Sequence, residues 1–388
     1  MKASSLAVPR STWLLPVLLA CSSLTVMSGA TIAPGLPGLV LHFADYPNAD
    51  FLARLILTAP GLAIALSAPI AGLMADRIGR KTLLESGIVL YIAAGSAGLW
   101  LDDLMFLLVS RLFLGVAVGF IMVCSTALLT DHFQGPERNR AMGIQSSAMS
   151  GGAIVFLSAG SILADLSWRA PFGVYLLPFL LIPLVYVFVS RPAASQAHAD
   201  SDTGQFPFAH AALLYGLGFF GMMLFYLIPT QLPFYALELG AGNLKVAGFA
   251  IVLSQVFSAV ASAGYQRLRG YLNTAQILLL SYLLIGIGFV LLAAAESVTL
   301  MYFAMPFLGL GLGFNFPNLT IWLMSEIPAD MRGRASGGMT TAVFTGQFLS
   351  PLISQPLVTT HGLSNTFLYA GVAAVSLAMI PWVVRCVK

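Results

Sequence analysis

The chain alternates long apolar stretches with short polar breaks from its first residues to its last. A helix of about 20 residues crosses the hydrocarbon core of a bilayer, and twelve apolar stretches reach that length. The predicted spans are 13–41, 52–75, 82–101, 105–129, 139–164, 168–189, 209–235, 244–267, 273–294, 298–323, 333–359 and 364–386. The pattern therefore predicts an all-α membrane protein with twelve transmembrane helices.

Composition agrees with this prediction, because the 388 residues are 58% hydrophobic and only 9% charged. A soluble globule of this length needs more polar surface. The sequence shows no catalytic constellation and no cysteine pair with metal-ligand or redox spacing, so we expect no enzymatic activity, no metal site and no cofactor. We expect a monomer in the lipid bilayer, without a nucleic-acid partner.

The cations divide unequally between the two membrane faces. With a cytoplasmic N-terminus, fourteen of the 18 lysines and arginines lie in cytoplasmic segments, three lie outside and Arg111 lies within a span. The fourteen are Lys2, Arg10, Arg77, Arg80, Lys81, Arg138, Arg140, Arg191, Arg267, Arg269, Arg332, Arg334, Arg385 and Lys388, and the three are Arg54, Arg169 and Lys245. Cytoplasmic loops attract such an excess, so both termini are predicted to be cytoplasmic.

The longest polar stretch, 190–208, lies at the middle of the chain and is predicted to be a flexible cytoplasmic linker. It separates an N-terminal bundle, 1–189, from a C-terminal bundle, 209–388, each with six predicted helices. Two patterns recur between these halves at an offset of 194 residues: Phe113-Leu114-Gly115-x-x-x-Gly119-Phe120 as Phe307-Leu308-Gly309-x-x-x-Gly313-Phe314, and Arg140-Ala141-Met142-Gly143 as Arg334-Ala335-Ser336-Gly337. Duplication of a six-helix unit in parallel topology explains both matches.

A charged hairpin joins the second and third predicted helices. The stretch 72–81 contains four charged residues, Asp76, Arg77, Arg80 and Lys81, with one glycine before them and a second glycine between Arg77 and Arg80. These charges require a water-facing loop, but a merely positive cytoplasmic loop explains neither the Asp nor the two glycines. The order Gly-x-x-x-Asp-Arg-x-Gly-Arg-Lys resembles the loop signature of the major facilitator superfamily of secondary transporters, in particular its bacterial twelve-helix drug and metabolite efflux branch. The resemblance implies two six-helix bundles that alternate access to a central site.

Arg111 is the charge placed deepest in a predicted span, about two turns into helix four. A charge there costs at least ~2.5 kcal/mol on insertion scales, so it should face a cavity or a partner. Its pattern, Arg-x-x-x-Gly-x-x-x-Gly, resembles the helix-four signature of the superfamily, which implies a role in proton coupling. The alternative is an arginine that snorkels to the outer surface. Met305 occupies the repeat-related position, so helix packing alone does not require the charge.

The resemblance also implies a charge relay, which carries over to Asp76, Arg80 and Asp131. It further implies that Asp76 faces the N-terminus of helix eleven near Gly333, where free N–H groups and the helix dipole favour an anion. Such contacts would close the cytoplasmic side. The alternative is that these residues are solvated interface charges.

Two features depart from the efflux pattern. Helix one lacks the acidic residue that many drug exporters carry, since the corresponding region reads Met27-Ser28-Gly29-Ala30-Thr31. Helix five lacks the Gly-Pro of the exporter signature and reads Val155-Phe156-Leu157-Ser158-Ala159-Gly160. Proton antiport of the familiar kind and the direction of transport therefore stay open.

The resemblance places the substrate among the inner helices. The candidate substrate-binding residues are Arg111, Thr31, Gln145, Tyr226, Gln231, Asn315, Trp322 and Gln347. These side chains are mostly neutral, which suits an uncharged or amphiphilic organic molecule, or an anion paired with Arg111. Each of them is also a candidate for simple helix packing.

Taken together, the sequence predicts a secondary active transporter that exports a small organic molecule across a bacterial inner membrane, with protons as the candidate coupling ion. Uptake by symport or facilitated diffusion is the main alternative. A non-transporting membrane receptor is a third possibility.

Overall fold

The computed structural model describes residues 10–189, 207–328 and 331–386, and all regular structure in these ranges is helical. The first half comprises α1 Arg10–Ala30, extended by the 3₁₀ turn Ala33–Gly35 and the short helix Leu36–His42; α2 Ala49–Ile78; α3 Arg80–Gly95, extended by the 3₁₀ turn Ser96–Leu99; α4 Leu104–His132; α5 Gly135–Ala164; and α6, a 3₁₀ stretch Ala170–Leu180 continued by the α-helix Leu181–Phe188. The predicted linker 190–208 lies almost entirely outside the described residues.

The second half comprises α7 Phe208–Glu238, α8 Lys245–Arg269, α9 Thr274–Ala293, α10 Val298–Glu326 and a long helix Arg332–Cys386. The long helix is broken at Gly362, whose φ of 81° is left-handed, so it forms two helices, α11 (332–361) and α12 (363–386). Eleven helices in the described ranges are long and apolar enough to cross a membrane, and the break divides the last of them into two spans. This arrangement matches the twelve predicted spans.

Local sequence explains where these helices start and break. Asp103 caps α4 by accepting hydrogen bonds from the N–H groups of Met105 and Phe106, at 2.8 and 3.0 Å. The cap fixes the start of α4 and so sets the depth of Arg111. The predicted first span does not run unbroken, because Pro34 has no N–H to continue an α-helix and the chain changes to a 3₁₀ turn there.

The repeated glycines bring α4 onto α2 and α10 onto α8 in the same way. A Cβ added at Gly115 would lie 2.4 Å from the carbonyl oxygen of Pro60, and one added at Gly309 would lie 2.2 Å from that of Ser254. The offset from Gly115 to Gly309 and from Pro60 to Ser254 is 194 residues in both cases. The repeat in the sequence is therefore also a repeat of helix contacts.

Each half has its own apolar core. The buried residues of one cluster all come from positions 14–189, and those of the other come from 211–378 with the addition of Leu157. The halves meet mainly through α2 against α11 and α5 against α8. Two separately packed bundles can move against each other without breaking either core.

The contact between the halves is close at only one end of the molecule. We call the end that carries Gly79, between α2 and α3, the loop end, and the other the opposite end. Gly248 of α8 lies so close to Ser161 of α5, at the opposite end, that an added Cβ would clash with its hydroxyl. At the loop end, a Cβ added at Gly72 or Gly333 would meet no atom within 4 Å. This conformation is therefore open towards the loop end.

Candidate functional site

Three charged residues cluster at the loop end. Arg80 lies between Asp131, with which it forms a close ion pair, and Asp76, whose Oδ1 lies 3.8 Å from Arg80 Nη2. Gly79 makes this possible, because its φ of 92° turns the chain sharply between the helix carrying Asp76 and the helix carrying Arg80. The second carboxylate oxygen of Asp131 is buried without a hydrogen-bond partner. The arrangement joins α2, α3 and α4 by charge.

Asp76 has no closing contact with α11 in this conformation. Its side chain is 62% exposed, and the space around Gly333 is open. The predicted contact with the start of α11 is therefore not formed here. Since the halves are apart at this end, the contact remains a prediction for the conformation in which the loop end is closed.

Arg111 is completely buried inside the first half. Its Nη2 donates to the carbonyl oxygens of Ala94 and Gly95 at 3.1 and 2.7 Å, where α3 changes from α to 3₁₀ geometry. Burial excludes the snorkelling alternative. The expectation that Arg111 faces the central cavity also requires correction, because in this conformation the guanidinium faces α3 and α6.

Aromatic rings complete the Arg111 environment. The guanidinium carbon lies 4.9 Å from the centre of the Phe172 ring and 5.2 Å from that of Tyr175, both on α6. These distances allow cation–π attraction, and Arg111 is fully buried there. Tyr175 also donates to the carbonyl of Ser28 on α1 at 2.8 Å. Nε and Nη1 of Arg111 have no hydrogen-bond partner, so the buried cation keeps unused donors.

Three candidate substrate residues lie where the halves meet. The hydroxyl of Tyr226 lies 2.9 Å from a Cβ built on Gly29, so α7 touches α1 there. Gln347 packs against Gly61 of α2, and its Oε1 is buried without a partner. Gln231 accepts a hydrogen bond from Arg54 across the interface. These three residues are positioned to respond to the relative movement of the halves.

The other neutral candidates lie elsewhere. Thr31, which directly follows α1, is buried and donates to the carbonyl oxygen of Met27 in the last turn of that helix. Gln145 donates to the hydroxyls of Ser22 and Thr126 within the first half.

Asn315 is buried within the second half beside Gly221, and neither end of its amide has a partner. Trp322 donates to Glu326 at the loop end. Thr31 and Gln145 thus have their polar groups satisfied within the first half, as expected if they serve helix packing rather than substrate binding.

A small cavity of about 180 Å³ lies between α10 and α11 on the loop-end side. Its lining is mostly apolar, with three hydroxyl side chains and no charge: Phe316, Leu319, Thr320, Leu323, Met324, Ser336, Met339, Thr340, Val343 and Phe344. Thr320 and Ser336 are exposed, so the cavity is open to the outside of the bundle. Phe344 also packs against the core of the first half. None of the predicted substrate residues lines this cavity.

Arg54 is buried between the halves, which its place in the sequence does not indicate. It was predicted to lie outside, and its side chain, near the opposite end, is only 2% exposed. A signal was present in the sequence, since Asp50 stands four residues before Arg54 and the two can pair on one helix face. The partners on the other half, Gln231 and Phe234, could not be inferred from spacing.

Comparison with known proteins agrees with the fold. Residues 18–351 match the family model described as Major Facilitator Superfamily. The puromycin resistance protein pur8 of Streptomyces alboniger is 31% identical over 163 residues, which cover 42% of this chain and 32% of that protein. The quinolone resistance protein NorA of Staphylococcus aureus (strain MRSA252) is 21% identical over 358 residues, which cover 89% of this chain and 90% of NorA.

A solved structure has the same architecture over nearly the whole chain. The xylose transporter XylE from E. coli, in an inward open conformation, superposes with a TM-score of 0.78 over 96% of this chain and 95% of XylE. The sequence identity is 14%, so the likeness shows the fold alone.

Proposed function

The chain belongs to the Major Facilitator Superfamily, and from that premise we propose that it exports a small amphiphilic organic molecule. It is a multi-pass membrane transporter and not an enzyme, and the family resemblance read from the sequence is confirmed. Substrate, direction and coupling belong to the proposal. So does placement in a bacterial inner membrane with both termini cytoplasmic.

The cavity between α10 and α11, about 180 Å³, is smaller than a site for a whole drug-sized molecule, but its lining supports the substrate class as one wall of the space between the halves. Its lining offers aromatic and aliphatic surface with three hydroxyls and no charge, which suits a molecule that is largely apolar. Two relatives whose names record resistance to puromycin and to quinolones, both organic molecules with aromatic rings, support export as the direction.

The proposed mechanism is alternating access. With the predicted topology, the loop end is cytoplasmic and this conformation faces inward. Asp76, Arg80 and Asp131 are proposed to close the loop end in the other conformation. Arg111 is proposed to take part in coupling, because a buried cation with two unused donor groups can accept a new partner when the helices around it move.

Uptake or facilitated diffusion remains the second candidate. The buried charged residues favour this second candidate. Among the side chains that the structure describes, Arg54 and Arg111 are buried, whereas no Asp, Glu or His side chain is classed as buried. A proton-coupled exporter commonly needs a titratable group in the protein interior. Facilitated diffusion needs none.

Flux across a defined membrane tests the proposal. The protein is reconstituted into proteoliposomes, and movement of norfloxacin, puromycin and xylose is followed with and without an imposed pH gradient. Export predicts movement of the two antibiotics against their gradient, driven by protons, and no movement of xylose. Movement that only equalises concentrations, whatever the pH gradient, supports facilitated diffusion instead.

Matched variants make the result specific. Asp131→Asn should reduce flux, because it removes the partner of Arg80. Asp45→Asn changes an exposed acid in the loop before α2 and should transport like the wild type. No flux of any probe by well-folded protein would favour the receptor alternative.

A further inference from the structure

A buried cation of the first half is held by groups of the second half near the opposite end. Arg54 of α2 donates from Nε to Oε1 of Gln231 on α7 at 2.9 Å. Its guanidinium carbon lies 3.9 Å from the centre of the Phe234 ring, one turn further along α7. The same guanidinium pairs with Asp50 and donates to its backbone carbonyl. Arg54 therefore has partners on both halves.

These contacts belong to a closed ring of four polar side chains. Gln231 donates from Nε2 towards Oε1 of Gln355 on α11, at 3.4 Å, and also to the hydroxyl of Ser354 at 3.1 Å. Gln355 in turn donates to the carboxylate of Asp50, in a short contact. The ring thus runs from Asp50 to Arg54, Gln231, Gln355 and back, with two members from each half.

Separation of the halves would break only the two hydrogen bonds of the ring that cross the interface. Two of its links cross the interface, from Arg54 to Gln231 and from Gln355 to Asp50. The remaining links stay within one half, so the ion pair leaves with α2 and the two amides stay together on the second half. Opening then leaves no charge without its counter-charge, which is the usual obstacle to separating a buried ion pair.

We propose that this ring is a latch that holds the opposite end closed, with Arg54 as its positioning residue. The proposal rests on the proposed alternating-access function and adds to it the residues that stabilise one of its two states. When the latch is closed, Arg54 has its charge satisfied by Asp50 and its orientation fixed by Gln231 and Phe234. When it opens, water replaces the contacts of the second half.

An ion pair outside the ring joins the two halves at this end and provides the control. Lys245 of α8 lies 2.9 Å from Asp165, which follows α5, but the two side chains are 39% and 25% exposed. Exposed pairs contribute little, because water competes for both charges. A buried charge whose partner is removed is strongly destabilising. Within the latch, Asp50 is 46% exposed but Arg54 is only 2% exposed, so loss of the counter-charge of this buried guanidinium should have a larger effect than loss of the Lys245–Asp165 pair.

Distance measurements between spin labels test the latch. One label pair joins Ala44→Cys and Thr359→Cys, both exposed at the opposite end on different halves, in a background without Cys21, Cys124 and Cys386. A second pair, Ser146→Cys and Gly337→Cys, is exposed at the loop end and outside the cavity lining. Both are measured in lipid nanodiscs, with and without norfloxacin, which gives the ratio of open to closed states at each end.

The latch predicts a graded response. Asp50→Asn leaves the buried guanidinium without its counter-charge and should raise the open fraction at the opposite end roughly tenfold or more. Gln231→Leu keeps the ion pair and approximate volume but removes the link across the interface, so it should raise the open fraction by a smaller factor. The double variant Asp50→Asn with Arg54→Met should shift less than Asp50→Asn alone, because no unpaired charge remains.

Lys245→Met is the matched control and should stay within about twofold of the wild-type ratio. The latch is wrong if the wild type exchanges between two distances but neither Asp50→Asn nor Gln231→Leu changes the ratio of open to closed states. It is also wrong if Lys245→Met changes that ratio as much as these two variants do. A wild type with one fixed distance at each end under all conditions would instead overturn the alternating-access function, and the latch with it.

Discussion

Replacement of Arg111 by Met separates a structural role of the buried guanidinium from a role in transport. The second half already carries Met305 at the repeat-related position of α10, completely buried. Met is unbranched and adapts to irregular space, so the aromatic rings of Phe172 and Tyr175 can pack against it. We expect Arg111→Met to fold and insert into the membrane, yet to transport poorly.

Two opposing contributions determine how Arg111→Met changes the free energy of unfolding. Arg111 donates two hydrogen bonds to carbonyls, and bonds that involve a charged group contribute about 1.5–3 kcal/mol each. Removal of the charge also removes its desolvation penalty, which is several kcal/mol for a buried ion. The terms nearly cancel, so the net loss for Met should stay below about 3 kcal/mol. Arg111→Ala leaves a cavity as well, which adds a further loss of roughly 2–5 kcal/mol.

Two measurements on each variant test this reasoning. Thermal unfolding in detergent should rank wild type and Arg111→Met close together and Arg111→Ala well below. Flux in proteoliposomes should fall strongly for Arg111→Met. Arg111→Lys keeps a point charge but not the planar fork of five donors, so it shows whether charge or bidentate geometry matters. Wild-type flux with unchanged pH dependence in Arg111→Met would show that the guanidinium only stabilises the α3–α4–α6 contact.

Three further predictions concern the loop end, the topology and the repeat. Asp76→Asn removes a charge but keeps the shape, so flux should fall at normal expression and spin-label distances should show less closure of the loop end; an unchanged balance would refute this role. A cysteine placed at Ser201, which lies outside the described residues, should not react with an impermeant reagent added to intact cells, and labelling there would reverse the topology. Gly309→Ala should lower the free energy of unfolding by about 1–3 kcal/mol, because the added Cβ would lie 2.2 Å from a backbone atom. Gly337→Ala has open space around the added Cβ and should be neutral or slightly stabilising in thermal unfolding. Equal effects of the two variants would contradict the packing repeat.

The helical spans, the glycine repeat and the loop charges could be predicted from the sequence, because each depends on residues that are close together in the chain or regularly spaced. The length of an apolar stretch is set by bilayer thickness, so the twelve spans could be placed to within a few residues of their observed ends. The glycine repeat was visible because close helix contact needs a missing side chain at fixed spacing, and Gly115 and Gly309 make that contact at equivalent positions. The loop charges were recognisable because Asp76 and Arg80 are near each other in sequence.

Tertiary packing decided what each buried polar residue does. The sequence showed that Arg111 is deep in a span, but only the fold brought the last carbonyls of α3 and the rings of α6 to it. Arg54 lies five residues into its helix, where the sequence suggests water, and it is buried because α7 and α11 of the other half cover it. Spacing along one chain specifies which residues share a helix face. Contacts between residues 177 positions apart, such as Arg54 and Gln231, depend on how two separately packed bundles meet.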